Sequence, residues 1–209
     1  MRRRDLIAIG EYYHVFNRGV EKRTLFDETD DYERFLESML YFNIETPTVM
    51  KTDDKVLPEE DDRLVDIVAY CLNRNHFHFI LKENKKNGIA MFMKKICTGY
   101  AMYYNSKNDR TGVLFQGRFK SVHLSSNDVL LYVSAYVNCN SQVHGREDAE
   151  SYLWCSFLEY MGDGKGALVC QKESVLGQFT DVSSYKRFCM DKVIGMQDRK
   201  RFEHALVES

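Results

Sequence analysis

The β-strand signal of residues 63–83, RLVDIVAYCLNRNHFHFILKE, constrains the fold more than any other stretch of the chain. Valine, isoleucine and aromatic residues are dense in it, and its centre alternates polar and apolar residues. We therefore predict a central strand. Successive side chains of a strand point to opposite faces, so His76 and His78 would lie side by side. Their face would also carry Tyr70, Leu72, Arg74 and Ile80. The other face would bury Phe77, Phe79 and Leu81.

The rest of the chain alternates strand and helix patterns joined by short connections. A strand is predicted at 11–20, and a strand pair or one long bent strand at 111–126. Apolar stripes at helical spacing predict helices at 27–43, 87–108, 126–145, 148–162 and 182–206. The strands are not uniformly apolar, so an antiparallel α+β sheet with helices packed on it fits better than a parallel sheet.

The composition excludes several classes of protein. Of the 209 residues, 44% are hydrophobic, which allows a sizeable core without disulfides or structural metal. No run of about 18 apolar residues is present, so no membrane span is expected. The start of the chain lacks the long apolar segment of a secretory signal. The six cysteines are scattered without a C-x-x-C pair, as in reduced proteins, so we expect a cytoplasmic protein.

Positive charge is concentrated in one part of the chain. Residues 82–120 hold nine lysines and arginines against two acidic residues. A surplus of this kind over one contiguous stretch suggests a polyanionic partner. A solvated helix face explains such a stretch as well, and the two alternatives stay open on charge alone.

Two groups of side chains suggest chemistry. Neutral imidazoles at His76 and His78 can chelate one divalent ion, although two hydrogen-bonded structural histidines would give the same pattern. Within the predicted helix 126–145, Tyr132, Tyr136 and Asn140 follow one another at intervals of four and share one face. A hydroxyl nucleophile and an amide oxygen could therefore face the histidines together. An aromatic stripe packed in the core is the alternative.

Five segments of the chain resemble, in order, the motifs of the single-tyrosine HUH transposases, especially the REP-associated tyrosine transposases and their insertion-sequence relatives. The segments are YYHVFNRG (12–19), NHFHFI (75–80), MKKICTGYAMYYN (93–105), LFQGRFKSV (114–122) and YVNCNSQVHG (136–145). A sixth, YLWCSFLEYMG (152–162), resembles a segment that often follows. The resemblance implies a ferredoxin-like α+β catalytic domain at 1–162, followed by a helical C-terminal extension at 163–209.

The resemblance also implies a reaction and its residues. The expected activity is metal-dependent cleavage and rejoining of single-stranded DNA through a 5′-phosphotyrosine intermediate. Tyr136 would be the nucleophile, with Tyr132 as the rival. His76, His78 and Asn140 would hold Mg²⁺ or Mn²⁺.

The implied partner is single-stranded or hairpin DNA. Its backbone is expected to contact Arg118 and Lys120, and also Lys94, Lys95 and Arg18. The family includes monomers and dimers, so a homodimer is one implied arrangement. Two other functions remain open: a nucleic-acid-binding protein of the same fold without catalysis, and a metal-dependent nuclease that uses water and leaves no covalent adduct.

Overall fold

The computed structural model of the protein describes residues 7–45, 59–163 and 170–207. The strands are β1 (Tyr12–Arg18), β2 (Val65–Asn73), β3 (His76–Glu83) and β4 (Lys120–His123). The helices are α1 (Thr29–Tyr41), α2 (Gly88–Lys107), α3 (Asn127–Asn138), α4 (Asn140–Val143), α5 (Phe157–Met161), α6 (Glu173–Leu176) and α7 (Val182–Val207). Short 3₁₀ turns lie at Val20–Lys22 and Glu60–Asp62.

The strands form one antiparallel sheet in the order β2-β3-β1-β4. The two central strands, β1 and β3, are joined through α1 and β2, and α2 connects β3 to the edge strand β4. This is the ferredoxin-like arrangement, and the predicted α+β fold with helices on an antiparallel sheet is confirmed. None of the described helices has the length and apolar character that crossing a membrane requires.

The prediction of one continuous strand over 63–83 is wrong. The chain turns back at Arg74 and Asn75, so the segment is a hairpin of β2 and β3. A connection of two residues is the commonest that joins the strands of a hairpin. Side chains still alternate between the two faces within each strand. The turn changes which residues of β2 lie on the same face as His76 and His78.

The hairpin register changes the neighbours predicted for the histidines. Cys71 lies opposite His78, and Asn73 lies opposite His76. Directly opposite residues of an antiparallel pair share a face, so Cys71 and Asn73 lie beside the histidines. Ile80 shares this face, as predicted. The three predicted neighbours that lie on the opposite face or in the turn are Tyr70, Leu72 and Arg74.

Each face of the sheet is covered by its own apolar cluster. One cluster joins Phe77 and Phe79 of β3 to α1 and α2. The other joins Ile80 to α3, α5 and α7. The histidine face is therefore the one on which α3 packs, whereas α2 lies behind the sheet.

The start of α2 shows why a predicted helix forms where it does. The buried carboxylate of Glu83, the last residue of β3, accepts hydrogen bonds from the backbone N–H groups of Gly88 (3.0 Å) and Ile89 (2.7 Å). These bonds satisfy donors that a helix start leaves without partners. A side chain at Gly88 would place Cβ only 2.2 Å from the carbonyl oxygen of Leu64, so glycine lets the two segments meet.

The segments around α3 differ from the sequence prediction in three places. The predicted helix 126–145 is interrupted at Cys139, whose backbone leaves helical geometry (φ −106°, ψ 20°). In the stretch 111–126, only the four residues of β4 form a strand, because the first half of the stretch is a loop. Within 148–162, helix begins only at Phe157.

The C-terminal helix α7 is bound to α3 by polar contacts inside the second cluster. The Tyr185 hydroxyl accepts a hydrogen bond from Asn138 Nδ2 (2.7 Å) and donates one to Ser134 Oγ (3.2 Å). All three side chains are fully buried. The helix that carries the predicted nucleophile is therefore anchored by residues beyond 162, and the division at 162 stays a prediction.

Candidate active site

His76 and His78 lie side by side on β3, with ring centroids 5.1 Å apart and ring planes nearly perpendicular. Phe77 and Phe79 hold the strand from the other face, in the core. His76 Nδ1 lies 2.7 Å from Asn75 Oδ1. Asn75 Nδ2 donates to the carbonyl oxygen of Lys22 (3.2 Å), so Oδ1 is the atom that faces the ring. An amide oxygen only accepts, so His76 Nδ1 carries the proton, and coordination of a metal by this ring would use Nε2.

Tyr136 reaches this pair from α3. Its ring presents an edge to His78, at a centroid distance of 5.5 Å, and to His14, at 6.0 Å. Tyr132, one turn earlier on α3, is 37% exposed. The spacing of four residues thus places Tyr136, rather than an aromatic stripe as a whole, against the histidines.

Asn140 begins α4, just after the interruption at Cys139, and is fully buried. Its Oδ1 accepts a hydrogen bond from Asn73 Nδ2 at 3.0 Å. Within the described part of the chain, Asn140 Nδ2 and Asn73 Oδ1 are buried without a hydrogen-bond partner. Such orphaned buried groups are costly, so this amide pair is a place to test for a missing ligand.

Turning over both amides would make the orphaned atom of Asn140 an oxygen, the type of atom that binds Mg²⁺. Oxygen and nitrogen of an amide have nearly the same shape, and the bond between Asn73 and Asn140 survives the exchange with its direction reversed. The Asn140 amide is near enough to the Tyr136 hydroxyl to lower its pKa. In residues 7–45, 59–163 and 170–199, no three histidine, cysteine or acidic side chains group to hold a metal.

Burial shifts the protonation of two side chains at the site. It raises the pKa of Tyr136 above its ordinary value, and the nearby Asn140 amide offsets part of that effect. It lowers the pKa of His14 to about 4. At neutral pH the Tyr136 hydroxyl therefore keeps its proton and His14 is uncharged.

His14 is a site residue that the sequence prediction missed. It lies on β1, and its Nε2 is 3.0 Å from His78 Nδ1. The sequence signal was present, because His14 alternates with Phe16 and Arg18 within a predicted strand. The sequence did not show that this strand pairs with β3, and that pairing brings His14 to His78.

A cleft of about 510 Å³ opens beside the histidine pair. Four cations from separate parts of the chain line it: Arg18, Lys22, Lys120 and Arg146. His144 lines it too, with its ring 6.2 Å from that of His76. A second cleft of about 430 Å³ shares Lys22, Asn75 and Arg146 with the first, so the two adjoin. A concave, cationic surface beside the histidine pair suits a phosphodiester backbone.

The structure brings only some of the predicted DNA contacts to this cleft. Arg18, which is hydrogen-bonded to Gln116, and Lys120 line it. Arg118 is exposed next to β4. Lys94 and Lys95 lie on α2, behind the sheet, and Lys95 Nζ donates to backbone carbonyls. Lys22 and Arg146 were not predicted, because each lies in a connection outside the segment of high positive charge.

Comparisons with known proteins agree with this geometry. Residues 54–140 match the protein-family model described as "Transposase IS200 like", which confirms the resemblance to insertion-sequence transposases over that segment. A solved structure described as "Structure of the REP associates tyrosine transposase bound to a REP hairpin" superposes with a TM-score of 0.59 at 13% sequence identity. The match covers 81% of this chain and 90% of that chain, so the fold is shared. The chain has no match among curated proteins.

Proposed function

Because residues 54–140 match the IS200-like transposases, we propose that the protein is a DNA transposase that cleaves and rejoins single-stranded DNA through a 5′-phosphotyrosine on Tyr136. The observation that carries this proposal is the edge of the Tyr136 ring against His78, beside a cleft lined by four cations. The structural neighbour is bound to a hairpin, and its shared fold supports single-stranded or hairpin DNA as the partner.

The chemistry is a transesterification with a tyrosine nucleophile. The Tyr136 oxygen attacks the scissile phosphorus and forms a P–O bond, while the bond to the 3′-oxygen breaks. The 5′-phosphate stays on Tyr136, and the 3′-oxygen leaves with a proton as a hydroxyl. A 3′-hydroxyl that later attacks the phosphotyrosine reverses these steps. Bond energy is conserved in the intermediate, so no nucleotide cofactor is needed.

Because burial raises the pKa of Tyr136, the site must help its hydroxyl to lose a proton. A phenol that is protonated at neutral pH has to lose its proton as it attacks, and negative charge builds up on the phosphate. The cations of the cleft hold the backbone on either side of the scissile bond. Their positive charge also stabilises the negative charge that builds up on the phosphate.

His76, His78 and Asn140 would hold a divalent ion at this point. Mg²⁺ or Mn²⁺ would supply positive charge that polarises the scissile phosphate. Two imidazoles and an amide carry no negative charge, and Mg²⁺ gives up water reluctantly, so affinity without DNA should be weak.

Adduct formation tests the proposal. A labelled single-stranded hairpin incubated with the protein and Mn²⁺ should yield a covalent species that survives denaturing electrophoresis. The Tyr136→Phe protein should bind the hairpin and form no adduct, since phenylalanine keeps the ring and removes the nucleophile. The matched control is Tyr132→Phe, one turn earlier on the same helix, which should still form it.

The outcomes separate the candidate functions. Adduct on the Tyr136→Phe protein at the wild-type level would refute the assignment of the nucleophile. Cleavage without any adduct would indicate hydrolysis by water. Binding by the wild-type protein with neither cleavage nor adduct would indicate a nucleic-acid-binding protein of this fold.

A further inference from the structure

The contact between His14 and His78 has the geometry of a hydrogen bond in the plane of two rings. The two nitrogens are 3.0 Å apart, whereas the ring centroids are 5.2 Å apart and the planes differ by 18°. In face-to-face stacking, the centroids would be about as far apart as the facing edge atoms. Here the edges meet instead, so each ring restricts the orientation of the other.

The surroundings hold this pair of rings in place. His14 lies opposite Ile80 across the β1–β3 pair, one pleat from Phe16, which lies opposite His78. The Phe16 ring packs against both, at 5.0 Å from His14 and 5.7 Å from His78. Tyr136 closes the same group from α3.

When both imidazoles are neutral, the hydrogen bond between them can run in either of two directions, with opposite consequences. If His78 Nδ1 donates, the proton of that ring is on Nδ1, and Nε2 has the lone pair that a metal or a proton in transit requires. If His14 donates, His78 carries its proton on Nε2, which cannot then coordinate. His76, the neighbour on β3, already has its Nδ1 directed at an oxygen, Oδ1 of Asn75.

We propose that His14 is a positioning residue, which accepts the Nδ1–H of His78 at its own Nε2 and thereby fixes the tautomer and plane of that imidazole. Both rings of the His76/His78 pair then have the same arrangement, with Nδ1 bonded within the protein and Nε2 as the coordinating atom. The inference rests on the proposed function in that it treats His78 as a metal ligand. The hydrogen bond itself exists without metal or DNA.

The first experiment measures the tautomer directly in the metal-free protein. Long-range ¹H–¹⁵N correlation spectra of ¹⁵N-labelled protein at neutral pH distinguish a ring with Nδ1–H from one with Nε2–H. We expect His78 in the Nδ1–H form in the wild-type protein. In His14→Phe, which keeps an aromatic ring but offers no acceptor, that form should lose its dominance. His14→Gln should restore it, because Oε1 of glutamine can occupy the place of Nε2.

The second experiment measures binding of Mn²⁺ alone, through the electron paramagnetic resonance signal of the free ion. Loss of a partner that orients a histidine ligand typically weakens metal affinity about 10–100-fold. His14→Phe should show a loss of that size, and His14→Gln should remain close to wild type. The matched control is His123→Phe on β4, where the native histidine contacts Glu11 and Tyr13 outside the site.

Two results would overturn the proposal: His78 with its proton on Nε2 in the wild-type protein, or His14→Phe that binds Mn²⁺ like wild type. Thermal unfolding of each variant shows whether a loss reflects a damaged fold, and the tautomer of His78 in the wild-type protein decides the question if the phenylalanine variant is unstable. Failure of the transposase proposal would appear as absence of an adduct and leave the tautomer measurement unchanged. The two failures are therefore distinguishable.

Discussion

The salt dependence of DNA binding should identify which face of the sheet holds the DNA. Four cations line the cleft beside the histidines, and we assign one phosphate to each of Arg18, Lys22, Lys120 and Arg146. Four contacts to single-stranded DNA predict that log K falls with log salt with a slope of about −2.8, from about −0.7 per contact. Raising monovalent salt from about 50 to about 200 mM should then weaken binding roughly 50-fold.

Removal of two of these cations should change the slope by a known amount. The double variant Lys120→Ala/Arg146→Ala keeps two contacts, so its slope should be about −1.4 and the same change in salt should weaken binding only about 7-fold. Fluorescence anisotropy of a labelled single-stranded hairpin, titrated at several salt concentrations without divalent metal, gives both slopes. Using the Tyr136→Phe background, which lacks the proposed nucleophile, should keep the binding equilibrium free of chemistry.

The control comes from the sequence prediction itself. Lys94 is exposed on α2, on the opposite face of the sheet, so Lys94→Ala should leave the slope unchanged. Arg118→Ala, next to β4 but outside the cleft lining, tests how far the track extends. A double cleft variant with the wild-type slope, together with a reduced slope for Lys94→Ala, would refute the reasoning and move the DNA behind the sheet.

Two further predictions concern stability. In denaturant titrations, Gly88→Ala should lower the free energy of unfolding by about 1–3 kcal/mol, because the added Cβ overpacks the contact with Leu64. Gly195→Ala on α7 should raise it by about 0.5–1 kcal/mol, because nothing lies within 4 Å of the added Cβ and alanine favours the helix. Burial tends to raise the pKa of Asp31, but its hydrogen bonds to Lys107 and to the start of α1 outweigh this and lower it. A carboxylate whose pKa is lowered on folding stabilises the folded state at pH values above the unfolded-state pKa of about 3.9. That stabilisation is lost as the pH falls through the folded-state pKa. Asp31→Asn should therefore lower the free energy of unfolding at pH 7 by about 1.5–3 kcal/mol, the range for a hydrogen bond to a charged group. The difference from wild type should narrow below about pH 4, and a difference independent of pH would contradict this reasoning.

The helices were the most predictable part of the fold, because their signals are local. The stripe of α2, the cap of α3 at Ser126 and the long C-terminal pattern of α7 were all readable in the sequence, and the structure has helices there. The hairpin was missed because both of its strands have the same alternation and the turn Arg74-Asn75 carries no glycine or proline. Only pairing between the two strands reveals the reversal.

Charge along the chain was a poor guide to charge in space. The basic stretch 82–120 is contiguous in sequence, yet α2 carries Lys94 behind the sheet, whereas β4 carries Lys120 to the histidine side. Lys22 and Arg146 are more than a hundred residues apart and line the same cleft. Because the chain passes from one face of the sheet to the other, residues close in sequence can lie on opposite faces, and residues far apart in sequence can lie together. The charge composition of a segment therefore does not locate the cationic surface.

By itself, the sequence determined that His76 and His78 share one strand face, since this relation depends only on local periodicity. It also predicted that Tyr136 and Asn140 follow each other at one helical turn, whereas the structure interrupts the helix between them at Cys139. The tertiary structure decided that α3 packs on the histidine face and that Asn140 meets Asn73. It also decided that His14, 64 residues before His78, touches it at Nδ1. These contacts depend on strand register and on which face each helix covers. Both are set by burial of apolar surface across the whole sheet, and no window of neighbouring residues contains that information.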